Sequence, residues 1–152
     1  MFHDLITNWA LVIPASCWLL AQTIKTVVAL AQGKGLDLST MVGSGGMPSA
    51  HSAVVTALAT TLGVTQGVAS AAFAIAVILA LIVMYDAANI RQSVSRQSVL
   101  INRIVRELRL RQPRIAIEAD LRELVGHTPF QVIIGGALGI AVSATWLALM
   151  GV

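Results

Sequence analysis

Two of the three histidines in this chain lie in short polar motifs, and each motif stands at the start of an apolar segment. Pro48-Ser49-Ala50-His51 follows a run containing Gly43, Gly45 and Gly46, and Gly126-His127-Thr128-Pro129 precedes the last apolar stretch. A glycine-rich turn, a proline and then a helix leave backbone N–H groups pointing outward at a positive dipole end, which suits an anion. His51, at the lip of such a site, has the chemistry to protonate a leaving oxygen. The same residues also fit a plainer account, in which Ser49 is an N-cap and His51 an interfacial histidine. His127 has its own structural alternative, capping carbonyls between an amphipathic helix and a spanning one. Asp86 is the third candidate: it ends a stretch from Asp37 onward without any Asp, Glu, Lys or Arg, and a charge at that depth is usually paired or functional. Pairing with Arg91 is the structural alternative there.

Taken jointly, two histidines, one anion-ready helix start and several arginines form the toolkit of a metal-free phosphoryl transfer. One histidine attacks phosphorus, another protonates the leaving alkoxide, and cations with backbone amides hold the equatorial oxygens. A zinc site fits poorly, because the chain has no His-x3-His pair and one cysteine, Cys17. Gly43–Gly46 is not followed by Gly-Lys-Ser/Thr, which excludes a Walker-type phosphate loop. No metal or cofactor is expected.

The elements that must position these residues are apolar. Hydrophobic residues make up 57% and charged residues 11% of the chain, against about 25% charged in soluble domains, and the mean hydropathy is +0.82. Too little polar surface remains to cover a water-soluble fold, so the bilayer is the expected solvent. The first apolar run is too long for a secretory signal and lacks a positive n-region, so the whole chain is expected to be mature protein. The net charge of +3 and pI near 9.8 do not point to nucleic acid. Eight of the ten basic residues are arginines between Arg91 and Arg122, beside apolar runs and with no aromatic residue among them. That pattern suits anionic lipid headgroups.

Leu5 to Ala31 is long enough to cross a bilayer, with Lys25 its one charge and Pro14 a candidate kink. Gln32 to Met47 is glycine-rich and not expected to be a regular helix. Ser52 to Leu62 is a short apolar segment that spans by starting its helix at Ser49; Gly63 to Gly67 is expected to turn, and Val68 to Tyr85 to span. From Arg91 the chain becomes amphipathic: Val99, Ile101, Ile104, Val105 and Leu108 fall near helical spacing with arginines between them, which predicts an interfacial helix interrupted at Pro113. A second stripe runs from Ile115 to Leu124. Phe130 to Val152 is the last span, with Gly135, Gly136 and Gly139 suited to close helix contact. The expected fold is therefore all-α: one membrane-embedded domain over residues 1–152, with about four spanning helices plus an amphipathic interfacial helix. Four crossings put the loops after the first and third on one side. Those loops hold both histidine motifs and most of the positive charge, which predicts a site at the cytoplasmic face and both termini outside.

The chain resembles the divergent branch of the type-2 phosphatidic acid phosphatase and vanadium haloperoxidase superfamily. The resemblance runs over nearly the whole chain, through Ala21-Gln22-x-x-Lys25, Gly45-Gly46-Met47-Pro48-Ser49-x-His51-Ser52-Ala53, Met84-Tyr85-Asp86-Ala87 with Arg91, the polar pair Gln97 and Asn102, and Leu124-x-Gly126-His127-Thr128-Pro129-x-x-Val132-x-x-Gly135. It implies that His127 is the nucleophile of a phosphohistidine intermediate and His51 the general acid. It also implies that Lys25, Arg91 and Arg122, with the Ser49–Ala50 turn, bind the phosphate. Three positions depart from the superfamily pattern. The Lys-x6-Arg-Pro motif has only Lys25 as a partial stand-in, and the arginine before the nucleophile is offset at Arg122. The carboxylate four residues after the nucleophile is replaced by Gln131, which can accept a hydrogen bond from an imidazole but cannot offset an imidazolium charge; Asp86 or Glu123 are the substitutes at hand. The expected activity is hydrolysis of a phosphomonoester on a membrane lipid, such as phosphatidylglycerophosphate, phosphatidate or a polyprenyl phosphate, in a bacterial inner membrane or a plastid membrane. The alternative is a membrane protein that binds anionic phospholipid without hydrolysing it. The expected partners are membrane lipids and the phosphorylated lipid substrate, with a homo-oligomer left open.

Overall fold

In the computed structural model, which describes residues 2–33, 46–111 and 128–152, a short helix α1 (Phe2–Ile6) breaks at Thr7–Asn8 and a long one, α2 (Trp9–Ala31), follows. The Asn8 side chain accepts the N–H of Ala10 at 3.1 Å, an N-cap that satisfies a donor the helix cannot. The first span thus begins at Trp9 and not at Leu5, and it continues through the buried Pro14. Helix α3 (Ala50–Gln66) starts as expected at its cap, Ser49, whose Oγ accepts the Ser52 N–H at 3.4 Å and the Ser52 hydroxyl at 3.0 Å. It runs further than expected. Gly63 stays helical, and its missing side chain lets the Phe73 ring lie against α3, where a Cβ would sit 2.9 Å from a ring carbon. The turn falls at Gly67, whose φ of +84° favours glycine.

Helix α4 (Ala71–Tyr85), capped by Ser70, does not stop at Tyr85. It passes through a π turn (Asp86–Ile90) straight into α5 (Arg91–Arg111). The expected spanning and amphipathic helices are one uninterrupted run. The reason is visible in the residues: no glycine or proline lies between Gly67 and Pro113 to break it. The second stripe, from Ile115 to Leu124, and most of the glycine-rich loop lie outside the described residues. Helix α6 (Pro129–Met150) begins with proline at its first position after the Thr128 cap and ends at Gly151 in the left-handed region.

Three segments, Trp9–Ala31, Ala71–Asn89 and Pro129–Met150, are long and apolar enough to cross a membrane. Helix α3, the remaining member of the expected four, has 17 residues, about 25 Å at 1.5 Å per residue. It touches α2, α4 and α6 alike. Among the described residues there is no strand, and the fold is an all-α membrane bundle. Large apolar side chains such as Leu19, Ile75, Ile78, Leu81, Ile133 and Ile140 point outward. The central core cluster is made of small residues, Cys17, Ala21, Ala50, Ala53 and Ala57, with Leu138 and Val142 against them. In lipid the gain comes from close approach of helices, because an outward leucine loses nothing to the solvent there.

Pairwise contacts fix the helix directions. Gly135 lies against Ser49, Gly139 against Ala53, and the Ser143 hydroxyl donates to the Ala57 carbonyl at 3.2 Å. Both helices advance together, so α3 and α6 are parallel. Helix α2 is antiparallel to them, since Lys25 lies by Gly46 while Cys17 donates to the Ala53 carbonyl at 3.7 Å. Helix α4 is antiparallel too, with Phe73 against Gly63 and Met84 near Gly136. The ends of α2 and α4 and the starts of α3 and α6 therefore meet at one end of the bundle, as the count of crossings predicts.

Candidate active site

At that shared end, Lys25 is 7% exposed although it sits within a spanning helix. Its stem runs along Gly46, where a Cβ would come within 3.2 Å of Lys25 Cε and 3.3 Å of Cγ. Gly46, at φ +83°, gives Lys25 the room to lie beside the turn that leads into α3. The burial of a lysine this deep signals a partner or a function.

Ser49 is fully buried and every polar atom it has is engaged. Its N–H donates to the Gln131 carbonyl at 3.2 Å, its carbonyl accepts the Ala53 N–H at 3.1 Å, and its Oγ caps the first turn. Ser49 is therefore the joint between the two histidine motifs, and its hydroxyl serves the helix. Ala50 is buried in the core, so its backbone N–H is what it can offer an anion. His51 follows at the second helical position with an exposed side chain.

Gln131 occupies the third position of α6 in a capping box. Its Oε1 accepts the Thr128 N–H at 3.1 Å while its own N–H donates to Thr128 Oγ1 at 3.4 Å. One side-chain acceptor is thus committed to holding the helix start. Asp86 opens the π turn and is part-buried, and that turn packs against α6. Such turns inside an α-helix recur at functional sites. Arg91 opens α5, and its side chain lies outside what is described. Arg122, Glu123 and His127 lie outside the described residues; the chain becomes described at Thr128, the residue bonded to His127.

The structure brings together Lys25, the Gly46–Ser49 turn, His51, Thr128 and Gln131. Two parallel helices present their N-termini there, and the dipoles of both favour an anion at that end. Among the described residues no three His, Cys, Asp or Glu side chains gather to hold a metal.

Several residues carry more than the sequence suggests. Asn102 is 3% exposed on α5, while Gln97, its partner in the motif, is exposed. Val99, Ile101 and Ile104 of that helix face outward and Val105 is part-buried, so most of the described stripe is open while the asparagine is turned in. The Thr56 hydroxyl lies 3.0 Å from the Gly136 carbonyl and 2.8 Å from that of Ser52, linking α3 to α6 one turn below Ser52. Gln22, one turn inward from Lys25, has an amide oxygen that is buried with no hydrogen-bond partner among the described residues.

A family model described as the divergent PAP2 family matches residues 6–142. The "Uncharacterized membrane protein YuiD" of Bacillus subtilis (strain 168) is 35% identical over 150 residues, covering 90% of this chain and 92% of the relative. No solved structure matches the chain.

Proposed function

We propose that this chain, which belongs to the divergent PAP2 family, is a membrane lipid phosphate phosphatase working through a phosphohistidine intermediate. A ring nitrogen of His127 attacks phosphorus as the bond to the lipid alkoxide breaks, and His51 gives that alkoxide its proton. Water then attacks the phosphohistidine, His51 takes the water's proton, and inorganic phosphate leaves with His127 restored. Lys25, Arg91 and Arg122 hold the phosphoryl oxygens together with the N–H groups of Ala50 and His51. Gln131 orients the His127 ring, and Asp86 supplies the negative charge that Gln131 lacks.

The observation that carries this reading is the hydrogen bond from the Ser49 N–H to the Gln131 carbonyl. It supports a single site because it joins the helix start that bears His51 to the helix start that follows His127. The arginines of α5, of which Arg96, Arg103 and Arg106 are exposed, favour the cytoplasmic leaflet for this end. The test is phosphate release by purified protein across a panel of lipid phosphates. Release from at least one lipid, abolished in His127→Ala, is expected; no release from any lipid sinks the proposal.

One observation favours a second reading. Gln131 is uncharged, and its amide oxygen already serves the Thr128 N–H. A protein that binds anionic phospholipid without cleaving it would need the cations and the helix starts but no charged partner for His127. Retention of lipid phosphates with no turnover would support it.

A further inference from the structure

We propose that Gln22 is a substrate-positioning residue that accepts a hydrogen bond from a hydroxyl of the lipid. The substrates of this site are then lipid phosphomonoesters with a free hydroxyl close to the phosphate ester, as in a glycerol-type headgroup. The inference rests on the phosphatase reading above and narrows it.

The first observation is an unmet need. Gln22 Oε1 is buried with no hydrogen-bond partner among the described residues, inside a segment that spans the membrane. Leaving a buried acceptor unpaired is costly, and lipid tails offer no donor. Neighbours on this face of α2 are Ala21, Lys25 and Ala29, all buried.

The second observation is position. Gln22 and Lys25 lie one turn apart on the same face, about 4.5 Å along the axis at 1.5 Å per residue. Helix α2 ends at the site, so Gln22 is the deeper of the two. A lipid whose phosphate meets Lys25 runs inward from phosphate toward its acyl chains. The next group along it, a hydroxyl on the carbon beyond the ester carbon, arrives at the depth of Gln22. Charge selects the donor: an ammonium would be repelled by Lys25, whereas a neutral hydroxyl is not. The sequence motif holds Gln22 and Lys25 together as Ala-Gln-x-x-Lys, and helical spacing turns that motif into an acceptor beside a cation.

A pair of substrates isolates the contact: phosphatidylglycerophosphate, and its counterpart in which the central glycerol hydroxyl next to the terminal phosphate is replaced by hydrogen. With the full chain in detergent, kcat/KM for the hydroxyl substrate should exceed that for the deoxy one by tenfold or more, because a buried acceptor penalises an analogue without the donor. In Gln22→Leu the ratio should fall to near one, chiefly through loss of the hydroxyl substrate's advantage. The thermal midpoint of that variant should be unchanged or higher, since leucine removes a buried acceptor with no partner among the described residues. Wild-type protein that treats the two lipids alike, or Gln22→Leu that slows both equally, overturns the proposal. Should wild-type protein release phosphate from neither lipid, the phosphatase reading fails separately. Titration calorimetry with the same two lipids then decides the role of Gln22: a tenfold affinity difference lost in Gln22→Leu upholds it, and equal affinities overturn it.

Discussion

The backbone N–H of Ser49 donates to the carbonyl oxygen of Gln131 at 3.2 Å, so the first turns of α3 and α6 are fastened to each other. Below that bond the two helices run parallel, with a small residue on one meeting a small residue on the other at Ser49 and Gly135, Ala53 and Gly139, and Ala57 and Ser143. The site geometry therefore depends on a seam that reaches well into the membrane. A change in the seam should displace the two histidine motifs relative to one another.

Gly139→Ala tests the seam. The added Cβ would fall on the Ala53 carbonyl oxygen and on Thr56 Oγ1, and the carbonyl, being backbone, cannot move without shifting α3. Overpacking of this kind costs about 1–3 kcal/mol, only partly offset by the better helix propensity of alanine. The thermal midpoint in detergent should fall, and more steeply for Gly139→Leu. Ala144→Leu, on the exposed face of the same helix, should leave the midpoint nearly unchanged. Equal behaviour of the two positions would contradict the parallel packing.

Gln131→Glu separates the structural role of that position from its chemical one. Glutamate makes the same capping box with Thr128, and a carboxylate in the first turn interacts favourably with the helix dipole by about 0.3–1 kcal/mol. The variant should fold at least as well as the parent. On the proposed mechanism it should also hydrolyse lipid phosphate faster, because a charge four residues after His127 would stabilise the imidazolium that mechanism forms. Gln131→Leu should lose both the cap and the activity. A stable Gln131→Glu protein with an unchanged rate would separate Gln131 from the chemistry.

The cap at Ser49 and the meeting of two loops at one end were legible because they follow from local residue types and from counting crossings. Other features were not. The run from α4 through the π turn into α5 looks like two elements because its composition changes at Asp86, yet a change from apolar to amphipathic does not by itself end a helix. Gly63 looks like a turn residue until Phe73 is seen lying on it. The glycines at 135, 136 and 139 announce a close contact but cannot name the partner, since many helices offer small residues. Asn102 shows why an amphipathic pattern is ambiguous in a membrane: the apolar stripe can face lipid, and the buried position then falls to a polar residue.

Helix direction predicts sidedness. Helix α6 leaves the site at Thr128 and ends at Met150 on the opposite face, where α2 also begins. With the native thiol of Cys17 buried, a cysteine introduced at Val152 should react with a membrane-impermeant maleimide on intact cells. One at Arg103, exposed on α5, should react only after permeabilisation. The reverse pattern would put the site on the outer face, and labelling of both from outside would break the parallel arrangement of α3 and α6.

The two histidines can be told apart by the leaving group. If His51 protonates the departing alkoxide, His51→Ala should slow hydrolysis of a lipid alkyl phosphate by about 10²–10⁴-fold. An aryl phosphate such as p-nitrophenyl phosphate leaves without a proton, so the first step should be far less affected in that variant. Phosphohistidine should then build up, because the same residue is needed to activate the water that clears it. His127→Ala has no such escape: both substrates should fail, and no acid-labile phosphate should remain on the protein. The pattern depends on roles, so a variant that merely misfolds cannot imitate it. A His51→Ala protein equally slow on both substrates, with no trapped phosphate, would remove His51 as the proton donor and return it to the helix start as an interfacial side chain.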